Sequence, residues 1–140
     1  MQTAALAVAP KDVDLLVDRS LTLATAKRYW DAADDLNEAN SLAPGRADIL
    51  VYRASAYRFL EAYDLAMADL QAALAITPND PVALLERDNV YGRTGQDELA
   101  RDDWARVVTL APDSEAAHAA RANLLRLENG PEAQGAGETK

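Results

Sequence analysis

Residues 66–78 read AMADLQAALAITP, and the same frame recurs 34 residues earlier as AADDLNEANSLAP (32–44) and 34 residues later as ARDDWARVVTLAP (100–112). Each stretch opens on alanine and carries aspartate at its fourth place, a bulky apolar residue at its fifth (Leu36, Leu70, Trp104) and proline at its end. Pro10 extends the series to four prolines, Pro10, Pro44, Pro78 and Pro112, spaced by 34 residues each time. A fixed period of this length marks an array of supersecondary units, none of which buries its apolar face alone.

With each proline taken as the thirty-second position of its unit, the full units run 13–46, 47–80 and 81–114. Position 20 is then Ala32, Ala66 and Ala100, position 27 is Ala5, Ala39, Ala73 and Val107, and position 11 is Leu23, Tyr57, Tyr91 and Leu125. Small residues where two backbones approach and large ones beside them suit a pair of antiparallel helices. Asp12, Asp80 and Ser114 stand where first helices begin and have the side chains that accept bonds from free N–H groups at a helix start. Arg46 holds the same place without that capacity. Pro81 suits a first helical position, and each repeat proline is expected to close a second helix.

These residues resemble the tetratricopeptide repeat family, whose 34-residue pattern is W-x2-L-G-x2-Y, then A-x3-F, then P. The alanine, bulky-apolar and proline part matches in all three units. Leu16, Leu50 and Leu84 replace the family's Trp, Arg19, Arg53 and Arg87 its Leu, and the small position that follows holds Ser20, Ala54 and, against the pattern, Asp88. The resemblance covers nearly everything up to Asn129 and implies an all-α fold, a right-handed α-solenoid of antiparallel helix pairs.

Residues 1–10 read as the second helix of a partial preceding repeat, which makes the chain an expected excerpt of a longer array. Residues 115–129 read as a terminal capping helix, and 130–140, with three glycines and no large apolar residue, as a disordered tail.

The net charge of −9 and a pI near 4.5 argue against nucleic acid or anionic membrane as the main partner. No run of 18 apolar residues is present to span a bilayer. Without cysteine, disulfides, thiolate metal sites and cysteine nucleophiles are excluded, but the compartment stays open between cytoplasm and periplasm.

Arg19, Arg53 and Arg87 on the first helices are each followed sixteen residues later by Asp35, Asp69 and Asp103 on the second, which predicts a repeated ion pair. Such a pair closes within a unit or bridges two, and Arg121, if paired, would turn to Asp103. No nucleophile, base and orienting acid recur together, so no catalytic residues are assigned and the chain is not expected to be an enzyme. The sole histidine, His118, takes the place of Leu16, Leu50 and Leu84 and is expected to be packed. Asp31, Asp34, Asp35 and Glu38 form a carboxylate strip on one helix, read as a solvated face and not a metal site. No cofactor is expected.

What remains is a surface. The resemblance implies a concave groove lined by first helices, and carried over residue by residue it gives Val17, Leu21, Val51, Tyr52, Ser55, Arg58, Phe59, Leu85, Asn89, Arg93 and Arg126 as partner-binding residues. Trp30 is expected to be exposed on a second helix. The carboxylate-clamp positions of chaperone-binding relatives hold Val17, Leu21, Tyr52, Val82 and Glu86, so no carboxylate-clamp chaperone peptide is expected. The expected ligand is a neutral or basic protein or peptide segment with apolar anchors, Tyr52 and Phe59 receiving it. A protein–protein interaction scaffold is the leading reading. A structural segment with end-to-end self-association and an accessory domain of a larger enzyme or transport machine are the alternatives.

Overall fold

The computed structural model describes residues 10–139, with side chains from residue 12 to residue 128. The described residues form seven α-helices and no strand: α1 (Pro10–Thr25), α2 (Tyr29–Leu42), α3 (Ala47–Phe59), α4 (Tyr63–Ile76), α5 (Pro81–Arg93), α6 (Asp97–Leu110) and α7 (Glu115–Thr139). They fall into two compact units, one ending at Pro78 and holding α1 to α4, the other beginning at Asn79 and holding α5 to α7. Within the first, α1 packs on α2, α2 on α3 and α3 on α4; within the second, α5 packs on α6 and α6 on α7.

The 34-residue period governs the turns as well as the helices. Between the two helices of each pair one residue takes a left-handed conformation: Lys27 (φ 64°), Glu61 (φ 61°) and Gly95 (φ 79°), spaced by one period. The next N–H reaches five residues back, Arg28 to Leu23 O at 2.8 Å, Ala62 to Tyr57 O at 2.9 Å and Gln96 to Tyr91 O at 2.8 Å. Lys27 N and Glu61 N also donate to the carbonyls three residues back, which makes a Schellman closure that satisfies the orphan carbonyls of the first helix.

The second helices stop for a different reason. Ala43, Thr77 and Ala111, each directly before a proline, leave the helical region at φ −140°, −131° and −144°. A proline ring crowds the residue before it out of the α region, so the helix ends one residue earlier than its missing N–H alone would require. At the starts, the Asp80 side chain accepts from Val82 N at 3.0 Å and the Ser114 hydroxyl from Ala117 N at 3.0 Å. Arg46 makes no capping bond and instead pairs with Asp14 and Asp48, holding the Asp48 carboxyl below the usual carboxylate range.

Three features differ from the sequence expectation. Helix α1 already begins at Pro10, so Asp12 lies in its first turn and is not its cap; proline is well suited to that first turn, where its missing N–H costs nothing. The rest of the expected partial repeat at 1–10 falls outside the described residues. Helix α7 continues past Asn129 to Thr139, over the stretch read as a disordered tail. Glu132, Ala133 and Gln134 favour that continuation, while Gly130, Gly135 and Gly137 oppose it by about 1 kcal/mol each. His118 is exposed and not packed, because no second helix follows α7 among the described residues to cover the face that buries Leu50 and Leu84.

Alanines set the helix spacing. Ala32, Ala39, Ala54, Ala66 and Ala73 in the first unit and Ala83, Ala100, Ala117 and Ala120 in the second are buried, and large side chains fill between them. In the first unit Val13, Val17, Leu36, Ala39 and Ile49 form one cluster, with Leu16, Ala43 and Tyr52 packed against it. Full burial of one such aliphatic side chain contributes about 1.5–3 kcal/mol. The second unit buries Leu84, Val90, Trp104 and Val107.

A two-pronged ion pair fastens each helix pair. Arg19 donates to Asp35 through Nε at 2.8 Å and Nη2 at 2.6 Å, Arg53 to Asp69 at 2.8 and 2.6 Å, and Arg87 to Asp103 at 2.7 and 2.8 Å. All three close within a helix pair. The aspartates are buried, but the arginine side chains are 65%, 17% and 21% exposed, so the first pair is far more open to screening than the other two. Arg53 Nη1 also donates to Asn37 Oδ1 at 2.8 Å, tying α3 to α2. Arg121 turns to the Pro112 carbonyl at 2.7 Å and not to Asp103.

Candidate functional site

A concavity of about 330 Å³ opens in the first unit, between α1, α2 and α3. Its floor is Ser20, Ala32, Leu36 and Ala56, all buried. Its walls are Leu21, Ala24 and Thr25 from α1, Tyr29 from α2, and Tyr52, Ser55 and Phe59 from α3. The helix ends explain the placement. The left-handed turn at Lys27 sets Tyr29 as the first residue of α2, and Phe59 is the last residue of α3.

There the two rings stack, with centroids 4.8 Å apart and planes 6° from parallel. The Arg58 guanidinium lies over the Phe59 ring at 4.5 Å from its centroid. Stacking and the cation hold the ring in place while leaving Phe59 52% exposed, and Leu21 opposite is 40% exposed. An apolar wall fixed before a ligand arrives loses little side-chain freedom when one binds.

Two of the polar groups in the lining bond to their own helix. The Ser20 hydroxyl donates to Val17 O at 2.6 Å and the Thr25 hydroxyl to Leu21 O at 2.9 Å. No carboxylate, ammonium or guanidinium side chain belongs to the lining. Its size is near the lower end of the roughly 300–1,000 Å³ usual for ligand pockets. Its lining is apolar apart from the hydroxyls of Ser20, Thr25, Tyr29, Tyr52 and Ser55. Among the described residues no group of three or more His, Cys, Asp or Glu is placed to hold a metal ion, and no helix is long and apolar enough to cross a membrane.

Of the residues assigned to a groove from sequence, Leu21, Tyr52, Ser55 and Phe59 meet at this concavity, and Arg58 joins it through the Phe59 ring. Val17 and Val51 do not; both are buried, Val17 in the cluster with Val13, Leu36, Ala39 and Ile49. In the second unit Leu85 and Asn89 are half-buried, and Arg93 and Arg126 are exposed. Trp30 is exposed on α2. Tyr29, Ala32 and Leu36 were missed as lining residues because the groove was sought on first helices only, and Ser20 and Ala56, which are on first helices, because they flank the ninth position and do not occupy it. The available signal was an aromatic at the same register in two units, Tyr29 and Tyr63.

Helix pairs of one period, closed by the same turn and stacked through alanines, define a helical-repeat protein of the solenoid class. No family model matches the sequence, and no curated protein matches it. Solved structures do. The first TPR domain of human RPAP3 is similar at a TM-score of 0.80 and 22% identity, over 89% of this chain and 96% of that one. The first TPR of Spaghetti (RPAP3), bound to the HSP90 peptide SRMEEVD, is similar at 0.75 and 22%, over 88% and 98%. The second TPR domain of human RPAP3, in complex with the HSP70 peptide SGPTIEEVD, is similar at 0.71 and 19%, over 83% and 98%. The chain has the tetratricopeptide repeat fold.

One expectation is corrected by these likenesses. Two of the matched domains hold EEVD peptides of chaperones, so the exclusion of such peptides as ligands does not stand. One of the five positions it rested on also does not face a ligand: Val17 is buried among Val13, Leu36, Ala39 and Ile49, so its identity carries no information about what a ligand meets.

Proposed function

We propose that this chain is a non-catalytic protein–protein interaction scaffold built on three repeats (13–46, 47–80 and 81–114), and that it binds a peptide or helix of a partner protein. The concavity of the first unit receives an apolar side chain of that segment. The observation that carries this reading is the stacked Tyr29–Phe59 wall, half open to solvent beside Leu21 and with no charged side chain in the lining. The partner-bound structures of similar domains support the general role. Fixed aromatic surface in a small concavity is the kind of place where a few residues dominate binding energy.

The test is a peptide-display selection on the intact chain, followed by anisotropy titration of the selected peptides and of SGPTIEEVD against wild type and Phe59→Ala. Binders whose affinity drops about tenfold or more with Phe59→Ala support the site, since truncating a hot spot costs upwards of about 2 kcal/mol. Peptides that bind wild type and Phe59→Ala equally would place the contact elsewhere and sink the assignment. Circular dichroism checks that the variant keeps its helices.

A further inference from the structure

The eighth position of each repeat lies in the packed seam and is buried in all three: Ser20, Ala54 and Asp88. Ser20 satisfies its hydroxyl on Val17 O, and Ala54 has nothing to satisfy. Asp88 is 0% exposed, and neither of its carboxylate oxygens accepts a bond from any N–H or O–H donor. An ionised carboxylate left that way carries the full cost of its lost hydration.

The surroundings offer one way out. The charged groups that act on Asp88 are the Asp103 carboxyl on α6 and, on its own helix, Arg87. Helix α7, which packs on both, exposes Glu115, His118 and Arg121 to solvent. Arg87 is already committed to Asp103 through Nε and Nη2. Two carboxyl groups form a hydrogen bond only when one of them carries a proton, and the acid without an arginine is the one to carry it.

We propose that the second unit is held together by a proton on Asp88, donated in a hydrogen bond to the Asp103 carboxylate, so that this half of the chain tightens as pH falls and loosens as pH rises. Burial, and then the charge of Asp103, push the Asp88 carboxyl up to about 10, against about 3.9 for an unfolded aspartate. The sign follows from linkage. The folded state holds a proton that the unfolded chain gives up, so the proton's contribution is whole below about pH 4, declines as pH rises, and is gone above about 10. Loss of the proton strands two adjacent carboxylates on one arginine, with the second unit as the place that opens.

Trp104, buried next in sequence to Asp103, reports on this unit once Trp30→Phe removes the other tryptophan. Urea denaturation followed by its fluorescence, between pH 5 and 9, is expected to show the folding equilibrium constant falling by up to about tenfold per pH unit. Asp88→Asn, an uncharged mimic of the protonated acid, is expected to flatten that slope and to be more stable than its parent at pH 9. Equal slopes in parent and Asp88→Asn would overturn the proposal. Should Asp88→Asn fail to fold, Asp88→Ala, which copies Ala54, serves the same comparison. Carbon-detected NMR of the Asp88 carboxyl in the unmutated chain decides independently: a protonated resonance at pH 7 is expected, and an ionised one refutes the idea.

Discussion

The two units are written in one 34-residue pattern and use it for opposite ends. At the thirteenth position the first unit has Phe59 where the second has Arg93, and at the seventeenth it has Tyr29 and Tyr63 where the second has Asp97. In the seam the first unit is plain, with Ser20 bonded locally and Ala54 inert, while the second buries Asp88 against Asp103. The turns differ in the reverse sense, since Lys27 and Glu61 are forced into a left-handed conformation that Gly95 adopts freely. At these positions the repeats differ while the turn bonds and the buried alanines of the helix pairs are kept. Of these departures, Tyr29 and Phe59 fall at the concavity of the first unit, and Asp88 in one buried electrostatic feature of the second.

The sharpest way to break this contrast is to move the acid. Ala54→Asp is expected to destabilise the first unit by about 3–5 kcal/mol, the usual cost of an uncompensated buried charge, and to make its stability fall with rising pH. Urea denaturation at pH 5 and pH 8 measures both, and a loss below about 1 kcal/mol would mean that the seam accepts a carboxylate anywhere.

Next in size is the ion pair. Arg53→Ala strands the buried Asp69 and also frees Asn37, and a loss of about 3 kcal/mol is expected. Arg19→Ala removes a side chain that is largely in water and is expected to cost clearly less. Denaturation midpoints of the two variants, compared at low and high salt, test the ranking; equal losses would show that exposure does not set the worth of these pairs.

The smallest effect sharpens the difference in the turns. Glu61→Gly gives the first unit the residue the second already has, and a gain of roughly 0.5–1 kcal/mol is expected. Relief of left-handed strain outweighs the added freedom of the unfolded chain. Thermal melting checks the direction, and a drop in midpoint would mean that the Glu61 side chain contributes something its turn geometry does not show.

The architecture was legible to an unusual degree because two independent constraints repeat in the sequence. Proline stops a helix through the residue before it, and alanine at position 20 permits close packing, so Pro44 with Ala32 and Pro78 with Ala66 already describe a helix and its partner's distance. The Arg–Asp spacing of sixteen residues has the same origin, two facing positions on one antiparallel pair. The site was legible only in part. Leu21, Tyr52, Ser55 and Phe59 followed from the family's groove, but Tyr29 sits on a second helix and comes into the same concavity only because the chain reverses at Lys27. Val17 and Val51 look like a groove's aliphatic row in sequence and are core in space, since a helix face one residue wide in register separates the two. His118 shows the opposite error: its register predicts burial, and only the presence of a covering helix decides that.

What the sequence by itself determined, then, is everything that depends on period: the all-α class, the pairing of helices and the turn positions. Local backbone rules and the 34-residue repeat carry those, and both are readable one residue at a time. What only the tertiary structure decided is whether a given side chain ends in water, in a wall or in the core. The openness of Phe59, the burial of Val17 and the isolation of the Asp88 carboxyl depend on which helix covers which face, and coverage is a property of neighbours distant in the chain.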